Sequence, residues 1–132
     1  MTPFRTQVLA VSLLACLSAL PAQAQLSDVI TRQYPDGGLY EGTFLDGLQH
    51  GQGTYRLPNG FEYAGDWVQG QITGAGTARY PNGSVYVGAF EDGRPHGQGR
   101  MVFADGSSYE GNWDGGRIMG QGVRRYVTGV VY

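Results

Sequence analysis

The sequence predicts an all-β fold: an elongated, single-layer antiparallel β-meander assembled from 23-residue β-hairpin repeats. Three observations carry this. Tyrosine stands at Tyr40, Tyr63, Tyr86, Tyr109 and Tyr132, always 23 residues apart, and a fixed period of this length marks a repeat architecture. Glycine fills the third, eighth, twelfth, fourteenth and twenty-first place of every unit, which accounts for twenty of the chain's 23 glycines. Beyond the first two dozen residues no stretch carries helical periodicity, whereas period-two alternation recurs.

Residues 1–24 are expected to be a secretory signal peptide. Arg5 gives a positive start, Val8 to Leu20 an apolar stretch, and Ala22-Gln23-Ala24 a small-x-small site that places cleavage between Ala24 and Gln25. The apolar stretch is shorter than the roughly 18 residues that a spanning helix needs. Leu13-Leu14-Ala15-Cys16 also looks like a bacterial lipobox, which would make Cys16 a lipidated first residue. Cleavage after Ala24 is preferred, because lipidation at Cys16 would leave Leu17 to Leu20 as an apolar tail. Residues 25–132 contain no cysteine, so the exported domain is expected to fold without disulfides in a compartment where they persist.

Residues 25–39 read as a lead-in with a half repeat that begins near Val29, since Tyr34-Pro35-Asp36-Gly37 matches the end of a unit. Four units follow, at residues 40–62, 63–85, 86–108 and 109–131, and Tyr132 opens a fifth. Each unit starts with Tyr-x-Gly-x-Phe/Trp, whose alternation puts Tyr40, Gly42 and Phe44 on one strand face. Trp67, Phe90 and Trp113 repeat the aromatic place. A turn is expected at Asp46-Gly47, Gln69-Gly70, Asp92-Gly93 and Gly115-Gly116. A second strand then runs from about the eleventh to the eighteenth place, into Leu57-Pro58-Asn59-Gly60 and its counterparts. Glycines on the neighbouring strand leave flat backbone for Tyr, Phe and Trp to lie against.

YEGTFLDGLQHGQGTYRLPNG and its three copies resemble the MORN repeat (membrane occupation and recognition nexus), close to YEGxWxxGxxHGxGxxxxxDG, from Tyr40 to Tyr132. Thr73 and Met119 depart at the histidine, Ala64 and Val87 at the glutamate, and Thr128 before the last glycine. The resemblance implies a single-sheet repeat module that serves as a protein scaffold or binds membranes. MORN repeats also precede the kinase domain of some plant phosphoinositide kinases; lead-in and repeats account for residues 25–132, so kinase activity is not expected here.

Enzymatic readings find little support. His50 and His96, in identical HGQG settings, are two units apart, about 20 Å along a sheet, and are not expected to share a metal. They read as packing residues beside turns. Gly115 to Gly120 has the spacing of a phosphate loop, but Gln121-Gly122 stands where Lys-Ser/Thr belongs. The carboxylates Glu41, Asp66, Glu91, Asp92, Glu110 and Asp114 repeat regularly and read as solvated. No catalytic residue, cofactor or metal is expected.

The chain has no lysine, and beyond residue 24 eight arginines face eleven acidic residues, leaving −3. Nucleic acid is therefore not an expected partner, and anionic lipid is a poor one; Arg117, Arg124 and Arg125 read as solvated. The expected function is a non-enzymatic, exported bacterial interaction or scaffold module, periplasmic or cell-envelope associated, that binds a protein partner. Its candidate surface is the row Tyr40, Tyr63, Tyr86 and Tyr109 with Phe44, Trp67, Phe90 and Trp113, in which Tyr and Trp are frequent interface anchors. The same rings could serve only to hold the sheet together. Val130-Val131-Tyr132 could add to a partner strand or to a second copy. The alternatives are peptidoglycan or carbohydrate binding through the aromatic rows, and phospholipid binding.

Overall fold

The structure, a computed structural model, describes residues 25–127. The expected leader with Cys16 and Ala24, and the Val130-Val131-Tyr132 segment, lie outside the described residues. Nine strands follow in order: β1 (Ile30–Gln33), β2 (Leu39–Leu45), β3 (Leu48–Arg56), β4 (Glu62–Val68), β5 (Gln71–Arg79), β6 (Val85–Glu91), β7 (Arg94–Val102), β8 (Ser108–Asp114) and β9 (Arg117–Arg125). They form one open sheet in chain order, every neighbouring pair antiparallel. Each second strand begins at the ninth place of its unit rather than the eleventh, because the two-residue turn leads straight into pairing, as in Leu45 opposite Leu48.

The register draws two straight rows across the sheet. One takes Arg32, Tyr40, Tyr55, Tyr63, Ala78, Tyr86, Met101, Tyr109 and Arg124, one residue from each strand. The next takes Gly42, Gly53, Gly65, Gly76, Gly88, Gly99, Gly111 and Gly122. Facing residues in an antiparallel ladder share a side of the sheet, so the tyrosine row and the glycine row lie side by side on one face.

Both kinds of turn follow from their residues. Asp46-Gly47, Gln69-Gly70, Asp92-Gly93 and Gly115-Gly116 all have positive φ at both positions, 50° and 79° in the first, the tight hairpin turn whose twist matches the flanking strands. The longer turns carry glycine at positive φ, as at Gly37, Gly60, Gly83 and Gly106. Their Asp36, Asn59, Asn82 and Asp105 side chains each accept the backbone N–H two residues on, at 2.8–2.9 Å. Within each hairpin, two steps along the first strand, Gly42 to Phe44, face four along the second, Gln49 to Gly53. The twelfth-place glycine lies in this bulge, with φ of 89° at Gly51 and 114° at Gly74.

Candidate functional site

The core is a ladder of eight rings. Phe44, Tyr40, Trp67, Tyr63, Phe90, Tyr86, Trp113 and Tyr109 meet edge to face in that order, with centroids 4.9–5.6 Å apart. Such pairs contribute about 0.5–1.5 kcal/mol each beyond the area they bury. Each tyrosine lies flat over a glycine of the next strand: Tyr40 over Gly53, Tyr63 over Gly76, Tyr86 over Gly99 and Tyr109 over Gly122. A Cβ on Gly76 would stand 2.5 Å from the Tyr63 hydroxyl. The hydroxyls of Tyr40, Tyr63 and Tyr86 donate to the carbonyls of Thr43, Asp66 and Ala89 at 2.7–2.8 Å. The indole N–H groups of Trp67 and Trp113 donate to the Gly53 and Gly99 carbonyls at 3.0 Å.

All eight rings proposed from sequence as a contact surface are therefore together, but only 0–5% exposed. This corrects the expectation. On a sheet with no second layer among the described residues, the rings and the glycines beneath them are the core, and the accessible surface is what lies above. Burial above all pushes the Tyr40 and Tyr86 hydroxyls up to about 12 and that of Tyr63 further still.

What lies above is a groove of about 690 Å³ across the aromatic face. Tyr34, Tyr55, Phe61 and Ile72 wall it, and Trp67 reaches its floor. Tyr34 and Tyr55 meet edge to face at 6.4 Å, and Tyr55 and Trp67 at 6.0 Å. The amide of Gln49 donates to the Tyr34 hydroxyl at 2.7 Å. Asp36 lines the groove in the turn between β1 and β2, and Asp92 in the turn between β6 and β7. Burial, then the neighbouring Asp36 carboxylate, raise the pKa of Tyr55. A second depression, lined by Tyr80, Pro81, Met101 and Phe103, occupies the related place two units along. The columns that build both, Tyr34, Leu57, Tyr80 and Phe103 with Tyr55, Ala78 and Met101, are visible in the sequence. Their mixed chemistry concealed a common face: the register puts Tyr55, Ala78 and Met101 in one row, and ring contact brings Tyr34 to Tyr55.

The two histidines part company despite identical motifs. His50 Nδ1 accepts the Gln69 backbone N–H at 3.2 Å, a place that Thr73 fills for Asp92 at 3.4 Å. His96 instead sits between Glu91 at 3.1 Å and Asp114 at 3.4 Å. The difference lies in the sixth place of the units, Leu45 and Val68 around His50 but Glu91 and Asp114 around His96. Among the described residues no group of three or more His, Cys, Asp or Glu side chains is placed to hold a metal, and no helix is long and apolar enough to cross a membrane.

The family model described as the MORN repeat matches residues 40–61, 63–85, 86–108 and 109–131. The chain belongs to the MORN-repeat family, whose members carry a non-enzymatic repeat module that mediates membrane and protein interactions. Alsin of Rattus norvegicus is 43% identical over 44 residues, which cover 30% of this chain and 3% of alsin. Alsin of Homo sapiens is 41% identical over 44 residues with the same coverage. The chain thus matches only a small part of these relatives.

Proposed function

We propose that this protein is an exported, non-enzymatic interaction module of the cell envelope that holds a protein partner against its aromatic face. The groove of Tyr34, Tyr55, Phe61 and Ile72 carries this reading. It is an apolar recess set in a continuous hydrogen-bonded sheet, with tyrosine hydroxyls and glutamine amides at its margins, the mixture that protein interfaces favour. The absence of lysine and the acidic balance speak against an anionic bilayer as the principal partner.

A photo-crosslinking residue at Phe61, compared with one at Val87, tests the reading in intact cells. Val87 is exposed and pairs with Thr77 and Arg100 in the other residue rows. The expected result is one discrete protein adduct from position 61 that Tyr55→Glu abolishes. Equal adducts from both positions, or none from position 61, would exclude the groove. Sequencing the N-terminus of the protein from the same cells tests export. Gln25 as first residue is expected, an acylated Cys16 would make the protein a lipoprotein, and a retained Met1 would overturn export.

A further inference from the structure

We infer that the groove is selective for arginine, and that its occupant is an extended segment of a partner protein that lays a guanidinium over Tyr55 and pairs it with Asp36, with Asp92 adding to the negative charge of the lining. This rests on the protein-partner reading above and names the chemistry of the partner.

The charge pattern of the groove points there. Its lining carries two carboxylates, Asp36 and Asp92, and no cation. Asp36 is fixed: one carboxylate oxygen accepts the Gly38 N–H at 2.8 Å, and the other faces the Tyr55 hydroxyl at 3.4 Å. Remaining lone pairs suit the planar fork of a guanidinium, which can stack its plane on an aromatic ring while its N–H groups hold a carboxylate.

The chain supplies its own precedent at both ends of the sheet. Arg32 lies over the Phe44 ring at 4.5 Å, and Arg124 over Phe103 at 5.5 Å. Both stand in the residue row that contains Tyr55. In that row Tyr40, Tyr55, Tyr63 and Ala78 occupy β2 to β5, and neither arginine lines the groove, so a guanidinium there has to come from elsewhere.

The related depression two units along provides the contrast. Asn82 replaces Asp36, Met101 replaces Tyr55, and Arg94 joins the lining, which has no carboxylate. Its shape is related but its charge is reversed, so a basic segment is directed to the first groove.

The test is a nuclear magnetic resonance titration of the purified full chain with N-acetyl-arginine amide and with its citrulline counterpart, which has the same shape without the charge. Saturable shifts at the Tyr55 and Trp67 rings are expected for the arginine probe, with the citrulline probe about tenfold weaker. Asp36→Asn and Asp92→Asn together should bring the arginine probe down to the citrulline level. Asp36→Asn keeps the fold, because Asn59 and Asn82 make the same turn hydrogen bond in sister units. Asp105→Asn, in the corresponding turn far along the sheet, should change nothing. Equal binding of the two probes, shifts centred on Met101 and Phe103, or indifference to the double variant would overturn the assignment. Phosphatidylcholine vesicles that displace the arginine probe would transfer the groove to a lipid headgroup. The adduct from position 61 separates the two levels. An adduct suppressed by the arginine probe supports the inference, and one that the probe leaves unchanged overturns arginine selectivity alone. Probe binding without any protein adduct overturns the protein-partner reading and this occupant with it.

Discussion

At the scale of single residues, the repeat depends on glycines that have no room for a Cβ. Gly53, Gly76, Gly99 and Gly122 each lie under a tyrosine ring, and the ring cannot retreat because its hydroxyl is tied to a carbonyl three residues on, as from Tyr63 to Asp66. Gly76→Ala should therefore cost about 2–3 kcal/mol, as overpacking in a filled core does. Gly47→Ala, where nothing lies within 4 Å but φ is 79°, should cost only the left-handed backbone strain of about 1–2 kcal/mol. Denaturant midpoints of the two variants measure both. Equal losses would mean that packing under the ring contributes nothing of its own. The Trp67 indole offers a second check, since Trp67→Phe removes the bond to the Gly53 carbonyl but keeps a ring that Phe44 and Phe90 show the place accepts. A loss of about 1–2 kcal/mol is expected from that bond and the smaller ring. An unchanged midpoint would make the indole bond incidental.

At the scale of strands and turns, the hairpins are specified locally and identically, with one weak point. The first position of the tight turn is in the left-handed region in every unit and is held by Asp46, Gln69, Asp92 and Gly115. Asp and Asn tolerate that conformation better than glutamine, so Gln69→Asn should stabilise by about 0.5 kcal/mol, a fraction of the strain that a left-handed backbone carries. Its backbone N–H still bonds to His50. Thermal unfolding tests this, and a lower Tm would show that the Gln69 side chain holds something beyond its turn. Most of the fold was legible at this scale, because turns and bulges require positive φ and so print glycine at fixed places, as at Gly70 and Gly74. The faces of the sheet were less so. Tyr40, Tyr63, Tyr86 and Tyr109 advertised themselves by strict recurrence, and recurrence marks what every unit needs, namely its core. A binding groove distinguishes one unit from the next, and its residues, Tyr55 and Phe61 against Ala78 and Ser84, read as irregularity until pairing put Tyr55 between Tyr40 and Tyr63.

At the scale of the whole molecule, the ladder ties every unit to its neighbour through a ring that crosses the boundary, Tyr40 to Trp67, Tyr63 to Phe90 and Tyr86 to Trp113. Stability should accordingly be sensitive to any condition that ionises tyrosine, since the same group recurs along the entire sheet. Burial raises the hydroxyls of Tyr40 and Tyr86 to about 12, and that of Tyr63 in the same direction, whereas an unfolded chain releases these protons near pH 10. The folded state then binds more protons than the unfolded one above about pH 10, and stability falls as pH rises, by about 1.4 kcal/mol per pH unit for each tyrosine. Three such groups approach about 4 kcal/mol per pH unit between about pH 10 and 12, a loss comparable with the lower end of a typical domain stability of about 5–15 kcal/mol. Below the unfolded pKa the contribution is complete, so the denaturant midpoint should be flat from neutral pH to about 10 and drop steeply beyond it. Tyrosinate absorbance from the core should appear only together with loss of the β-sheet circular dichroism. Core tyrosines that ionise while the sheet signal persists would mean that the ring ladder is open to solvent and does not bind the units into one cooperative sheet.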